Sequence, residues 1–109
     1  MAGAVAAENR IFQALADPSR RAILASLSRG EAAVKDLTAR FDISQPAVSQ
    51  HLAALKEAGL VKARRDGRCV YYRVDARGMK PLLDWMAHYR EFWTTHVNRL
   101  EKLLERMDE

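Results

Sequence analysis

Residues 43–60, ISQPAVSQHLAALKEAGL, restrict the fold more than any other part of the sequence, because they contain a start and a stop for one helix. Ser44 is a natural N-cap, and Pro46 falls in the first turn, where backbone N–H groups have no helical partner. Gly59 can adopt the left-handed conformation in which many helices end. The segment therefore predicts a helix over residues 45–58 whose start is set by the proline.

The two faces of this helix differ in chemistry. Val48, Leu52 and Leu55 share one face at about 100° per residue, so that face is expected to pack into a core. The opposite face and its leading end carry short or polar side chains: Gln45, Pro46, Ala47, Ser49, Gln50 and Ala53. Short amide and hydroxyl side chains can approach the edges of DNA bases. Taken alone, a solvated polar face is the more common interpretation, and the flanking segments are needed to decide.

A β-hairpin is predicted directly after this helix. Residues 60–74, LVKARRDGRCVYYRV, have Asp66-Gly67 at their centre, which is a strong signal for a two-residue turn. With that loop, Ala63 would lie opposite Val70 on the side that packs on the helices. The turn is crowded by Arg64, Arg65 and Arg68. Because like charges this close repel one another, we interpret them as phosphate or minor-groove contacts in preference to a solvated basic turn.

The segments before residue 43 are predicted to form short helices. Residues 1–8 are expected to be a frayed start, and residues 9–16 form a short amphipathic helix. Asp17 caps a second helix with Pro18 in its first position, and Gly30 ends it. A third short helix is marked by Val34, Leu37 and Phe41.

The C-terminal part of the chain predicts one long helix over residues 79–106. Apolar or aromatic residues recur on it every three or four positions: Leu82, Trp85, Tyr89, Phe92, His96, Leu100 and Leu103. A chain of 109 residues has little core left to cover so wide a face, so we expect a homodimer seam, shared with the first helix. The aromatic residues Trp85, Tyr89, Phe92 and Trp93 could instead line a pocket for an apolar ligand, and we favour the seam.

Composition excludes several classes of protein. The length suits one domain over residues 1–109, and the net charge of +4 favours a polyanionic partner. A lone cysteine, Cys69, cannot form an intramolecular disulfide, and no apolar run approaches the roughly 18 residues of a membrane helix. The first seven residues lack the pattern of a signal peptide, so a reducing, cytoplasmic location is expected. No catalytic Ser/His/Asp set, carboxylate pair or glycine loop is evident, which argues against an enzyme.

Together these segments resemble the winged helix-turn-helix regulators of the ArsR/SmtB family. The resemblance rests on LADPSRRAIL (15–24), VKDL (34–37), ISQPAVSQHLAALKEAGLV (43–61) and RRDGRCVYYRV (64–74). It implies a mainly α fold with a small β-hairpin, in the order α-α-α-α-β-β-α, dimeric through the terminal helices. It also implies a homodimeric bacterial repressor that binds double-stranded DNA at a palindromic operator and releases it when an inducer signal arrives.

The resemblance also implies the site residues. Residues 9–78 would hold the helix-turn-helix and wing, and residues 79–106 the dimerisation helix. The implied DNA contacts are Ser44, Gln45, Ala47, Ser49, Gln50 and His51 on the recognition helix, and Arg64, Arg65 and Arg68 on the wing. His51 lies on the margin between the core and the outer face, where a packed, hydrogen-bonded histidine and a phosphate contact are equally plausible.

The chain departs from the family pattern at both known metal sites. Family metal sensors carry Cys-Val-Cys on the helix before the turn, where this chain reads AVK (33–35). The site on the terminal helix is incomplete as well, because the matching segment is DWM (84–86) and His96 is followed three residues later by Arg99. We therefore expect no metal and no cofactor, as in a metal-independent branch of the family.

The inducing signal stays open at this point. Cys69 is by default an inert, half-buried thiol, although nearby arginines could make it reactive enough for a redox switch. The repressor could respond to an apolar small molecule, to oxidation of Cys69 or to no direct effector. A module that uses the fold only for dimerisation and protein interaction is the less favoured alternative.

Overall fold

The computed structural model of the chain describes residues 2–108, and the side chains of residues 6–90 and 92–108. Its elements follow one another as α1 (Ala2–Leu15), α2 (Pro18–Leu27), β1 (Ala32–Ala33), α3 (Val34–Arg40), α4 (Gln45–Glu57), β2 (Val61–Asp66), β3 (Cys69–Val74), α5 (Ala76–His88) and α6 (Arg90–Asp108). The strands form one antiparallel sheet in the order β1-β3-β2. The predicted winged helix-turn-helix is confirmed, with one strand and one helix more than the predicted order contained. None of the described helices is both long enough and apolar enough to cross a membrane.

The helix predicted over residues 45–58 is confirmed as α4, together with its capping signals. The Oγ atom of Ser44 accepts a hydrogen bond from the backbone N–H of Ala47 at 3.3 Å, so the helix begins at Gln45 as predicted. It ends at Glu57, one residue earlier than predicted, and Gly59 follows with φ of +83°. Local capping therefore determines both ends of this helix.

The apolar face of α4 forms the centre of the core. Val48, Leu52 and Leu55 are 0% exposed. The other buried members of the core are Ile11, Ala14, Ile23, Leu27, Ala32, Leu37, Leu60 and Val61. Burial of an aliphatic side chain contributes about 1.5–3 kcal/mol, so this face holds α4 firmly against the preceding helices. The predicted division of α4 into an inner and an outer face is confirmed.

The hairpin forms, but with a different loop. Asp66 pairs with Cys69, so residues 67–68 are the loop and the predicted loop at residues 66–67 is wrong. Gly67 has φ of +63°, and a two-residue loop with glycine in its first position needs a positive φ there. Because the pairing moves by two residues and strands have a period of two, the same side chains stay on each face.

Strand β1 was not predicted. Ala32 pairs with Tyr72 and Ala33 with Tyr71, on the edge of β3 that β2 leaves open. Two alanines carry no strand signal of their own, and both are buried beneath the wing. The strand therefore depends on its tertiary partner, and it places Glu31 beside the hairpin.

The N-terminal helix is longer than predicted. A frayed start over residues 1–8 and a short helix from residue 9 were expected, whereas α1 runs from Ala2 to Leu15. Ile11 and Ala14 pack into the core, and the alanine-rich segment AGAVAA lets the helix continue towards the N-terminus. Met1 lies outside the described residues.

The terminal segment is two helices, so the prediction of one helix over residues 79–106 is wrong. Tyr89 lies between α5 and α6 with φ of −101° and ψ of 8°, outside the helical region. The bend brings the rings of Trp85 and Trp93 to a centroid distance of 6.1 Å. Eight residues of straight helix span about 12 Å, so these rings would lie well apart without it. Aromatic packing therefore accompanies the break.

Helix α5 is joined to the end of α4 by a close contact between two glycines. A Cβ atom at Gly78 would collide with the carbonyl oxygen of Gly59, so no larger residue allows this approach. The Oδ1 atom of Asp75 caps α5 by accepting the N–H of Arg77 at 3.0 Å, and the Asp75 N–H donates to the carbonyl of Leu60 at 2.9 Å. The terminal helices thus begin at a defined point beside the recognition helix.

Candidate nucleic-acid interface

The outer face of α4 exposes most of the side chains predicted to contact DNA. Ser44, Gln45, Ser49 and Gln50 are exposed, and Ala47 among them is half-buried. The Oγ atom of Ser44 is the acceptor of the capping hydrogen bond, which leaves its hydroxyl hydrogen free to donate. These groups combine donors and acceptors on a surface without bulky side chains.

His51 lies apart from this face. Its side chain is half-buried, and its Nδ1 atom is buried without a hydrogen-bond partner among the described residues. The ring is near Asp17, the N-cap of α2. The pKa of Asp17 is lowered chiefly by the hydrogen bond from the backbone N–H of Arg20, with a smaller contribution from the charge of His51. His51 is therefore less accessible than Gln45, Ser49 and Gln50, which are exposed.

Arg64 lies on the wing but is already engaged within the chain. Its Nη2 atom is 2.6 Å from Oε1 of Glu31, and its Nε atom donates to the same carboxylate at 2.9 and 3.0 Å. Its guanidinium carbon also lies 4.5 Å from the ring centroid of Tyr71. The hydrogen bond from Arg64 lowers the pKa of Glu31, so the carboxylate is ionised at neutral pH. Arg64 is thus held by a carboxylate that the sequence did not reveal as its partner.

Arg65 and Arg68 are the arginines that the wing presents to solvent. Both side chains are exposed, and neither forms a salt bridge within the part of the chain that the structure describes. Arg65 lies near the end of β2, and Arg68 is the second residue of the loop. Of the three predicted wing contacts, these two are the ones available to an anionic partner.

A cleft of about 290 Å³, called the wing cleft below, lies between α3, α4 and the wing. Its polar lining consists of Lys35, Gln45, Ser49, Arg68 and Cys69. Lys35 was not among the predicted DNA contacts, because nothing in the sequence places the start of α3 beside the wing loop. The half-buried thiol of Cys69 faces the same cleft.

The predicted dimer residues divide into two groups. Leu82 is partly buried and packs against the core of its own chain. Tyr89, Phe92, Leu100 and Leu103 are exposed, whereas Trp85 and His96 are half-buried beside other aromatic rings. Further apolar side chains are exposed near them: Phe12 on α1, Leu83 and Met86 on α5, and Trp93, Val97, Leu104 and Met107 on α6. Leu83 and Met107 were not predicted, since they lie beside the stripe and not on it.

The position of the family's thiolate site holds no soft ligand. Ala33 is buried in β1, Val34 begins α3, and Lys35 is exposed. Among the side chains of residues 6–90 and 92–108, no three His, Cys, Asp or Glu residues form a group that could hold a metal ion.

Comparison with known proteins agrees with this architecture. A family model described as "Bacterial regulatory protein, arsR family" matches residues 17–63. Transcriptional repressor SdpR of Bacillus subtilis is 35% identical over 81 residues, which cover 74% of this chain and 90% of SdpR. HTH-type transcriptional regulator Rv2034 of Mycobacterium tuberculosis is 39% identical over 97 residues, which cover 89% of this chain and 88% of Rv2034.

A solved structure supports the fold assignment independently. The homodimeric winged helix-turn-helix DNA-binding domain Mb0332 of Mycobacterium bovis matches with a TM-score of 0.69 at 32% identity, covering 87% of this chain and 88% of that one. Fold, motifs and relatives agree: the chain belongs to the ArsR family of bacterial regulatory proteins, and it is a DNA-binding transcriptional repressor, not an enzyme.

Proposed function

We propose that the protein represses transcription as a homodimer that binds a palindromic operator, with one α4 helix in each of two successive major grooves. The observation that carries the proposal is the outer face of α4, where Gln45, Ser49 and Gln50 are exposed beside the two free wing arginines. A glutamine amide can form a paired hydrogen bond with an adenine edge, and a serine hydroxyl can donate or accept. These groups are suited to reading bases, while Arg65 and Arg68 are suited to phosphate contacts.

The exposed apolar surface of α5 and α6 supports the dimer. Phe92, Leu100 and Leu103 are 48%, 59% and 53% exposed, which is unusual for so many large apolar side chains on a single chain. Phe12 of α1 packs edge-on against Trp85 at 5.2 Å and extends this surface onto the first helix. A dimer bound to a palindromic operator needs its two recognition helices about 34 Å apart, which is one turn of DNA.

We further propose that the repressor has no thiolate metal site. Thiolates are the ligands that soft metals select, and the matching positions hold Ala33 and Lys35. A lysine ammonium at this place would repel a cation. Titration with arsenite, cadmium and zinc should leave operator affinity unchanged, and release of DNA by any of these ions would contradict the proposal.

Selection of bound duplexes from a random library tests the operator and the division of roles. We expect an inverted repeat with half-sites one helical turn apart. Gln45→Ala and Gln50→Ala should then reduce the preference for the selected operator over random DNA. Arg68→Ala should weaken binding to both, because a phosphate contact carries no sequence information. Identical behaviour of the two sets in fluorescence anisotropy would show that this division of roles is wrong.

One observation favours a second candidate, in which an apolar small molecule acts as the inducer. The bend between α5 and α6 forms a groove of about 700 Å³ lined in part by Trp85, Met86 and Trp93. Tyr89 and Phe92, the other two residues considered for such a pocket, are not part of its lining. An apolar fluorescent probe that binds the dimer and quenches tryptophan emission would support this candidate. Absence of probe binding would contradict this candidate, and it is the result expected if the second subunit fills the groove.

A further inference from the structure

The wing cleft combines two cationic side chains from distant parts of the sequence. Lys35 is in the first turn of α3, and Arg68 is in the wing loop, yet both line the same cleft. Both are exposed, and neither forms a salt bridge among the described residues. Two positive charges in one cleft raise its electrostatic energy unless an anion lies between them.

Other exposed cations of the chain differ from Lys35 and Arg68, because they are paired with carboxylates. Lys62 lies 3.7 Å from a carboxylate oxygen of Asp75, and Lys80 lies 2.7 Å from one of Asp84. Arg64 is held by Glu31, as described above. Carboxylates thus neutralise several exposed cations, and the wing cleft has no carboxylate in its lining. The charge of the cleft is therefore available to an external anion.

The remaining lining supplies polar groups beside the two cations. Ser49 supplies a hydroxyl that can donate a hydrogen bond, and Gln45 supplies an amide. Both belong to the first turns of α4, so the cleft opens where the recognition helix begins. An anion held there would lie directly beside bases that Gln45 or Ser49 contact.

We propose that the wing cleft binds one phosphodiester group of the DNA backbone, with Lys35 and Arg68 as its cationic contacts. The inference rests on the proposed function, in which α4 occupies the major groove. The lysine acts as a point charge, whereas the arginine can bind two phosphate oxygens at once. Contacts of this kind set the register of the protein on the duplex, so Lys35 positions the recognition helix without reading a base.

The first test is the salt dependence of operator affinity in Lys35→Gln. Loss of one phosphate contact should reduce the slope of log K against log salt by about 0.9. Affinity should fall by about tenfold to a hundredfold, as expected for one hydrogen bond to a charged group. Lys80→Gln is the matched control, since it removes the same charge from α5, and its slope should equal that of the wild type. An unchanged slope in Lys35→Gln would overturn the inference.

A methylphosphonate scan locates the phosphate. Each duplex in the series carries one uncharged methylphosphonate in place of a phosphate. At one position per half-site, the substitution should weaken binding by the wild type but have little further effect on Lys35→Gln or Arg68→Gln. Strictly additive effects at every position, with no shared site, would contradict a phosphate between these two side chains.

Two further outcomes separate this inference from its alternatives. Failure of the wild type to select any duplex contradicts the proposed function together with the inference, whereas normal selection with an unchanged slope in Lys35→Gln contradicts the inference alone. Millimolar inorganic phosphate at constant ionic strength should not compete with the operator. Competition that is present in the wild type and absent in Lys35→Gln would assign the cleft to free phosphate instead.

Bound operator should also slow alkylation of Cys69, because the thiol faces the wing cleft. A thiol that reacts equally fast with and without operator would argue against a phosphate in the cleft.

Discussion

Helices α4 and α6 both carry a stripe of apolar side chains, but the two stripes have opposite environments. Leu52 and Leu55 of α4 are 0% exposed, whereas Leu100 and Leu103 of α6 are 59% and 53% exposed. The sequence pattern is amphipathic in both, and more strongly so in α6. An apolar stripe therefore shows which face of a helix will be covered, but it does not show whether the same chain covers it.

The two helices are therefore suited to different roles, DNA binding for α4 and dimerisation for α6. Helix α4 is stabilised entirely within its own subunit, so its outer face is free to carry short polar groups suited to DNA. Helix α6 has 19 residues and extends beyond the core, and most of the stability of a helix in a protein comes from packing of its apolar face. We infer that the order of α6 depends on the second subunit, and that the same contact sets the spacing of the two recognition helices.

The largest expected effect comes from the buried stripe. Leu52→Ala leaves a cavity at the centre of the core and should lower the free energy of unfolding by about 2–5 kcal/mol. Urea unfolding measures the loss, and it should be the same at low and high protein concentration. A loss that grows on dilution would mean that α4 also depends on the dimer.

The exposed stripe should respond differently. Leu100→Asp places a charge in the proposed dimer seam, and it should weaken dimerisation roughly tenfold to a hundredfold, since a buried leucine contributes about 1.5–3 kcal/mol. Sedimentation velocity measures the dissociation constant. Lys102→Asp, on the opposite side of the same helix, is the matched control and should leave the dimer intact. A dimeric Leu100→Asp protein would place the interface elsewhere.

The wing provides a finer comparison, between a free and a held arginine. Arg68→Ala should weaken binding to every duplex and reduce the salt slope by about one. Arg64→Ala should have the smaller effect, because Glu31 already occupies its guanidinium group. Anisotropy titrations at several salt concentrations distinguish the two. Equal slopes in both variants would show that Arg64 leaves Glu31 when DNA binds.

The smallest expected effect follows from the same pair. Glu31→Gln removes the charge that holds Arg64, so affinity for random duplex should rise, within about fivefold, because exposed ion pairs are weak. Asp36→Gln, an exposed carboxylate in the first turn of α3, removes the same charge without a partner arginine. Reduced affinity in Glu31→Gln would indicate that the pair positions the wing instead of restraining the arginine.

The features that sequence reasoning located correctly depend on neighbouring residues. Ser44, Pro46 and Gly59 act on the backbone within a few positions, so the bounds of α4 were predicted to within one residue. The features it missed depend on distant partners. The ion pair between Arg64 and Glu31 joins residues 33 positions apart. Lys35 and Arg68 line the same cleft because β1, which precedes α3, pairs with β3 of the wing.

By itself the sequence determined the capped recognition helix, its two faces, the presence of a hairpin and the family. The first three follow from backbone sterics, hydrogen bonding near helix ends and a period of apolar residues, all of which act over a few positions, whereas the family follows from the resemblance of the motifs. Only the tertiary structure decided the hairpin register, the bend at Tyr89, the engagement of Arg64 and the lining of the wing cleft. Each of these results from packing between segments far apart in the chain, where small differences in shape and charge select one arrangement among several that the local signals allow.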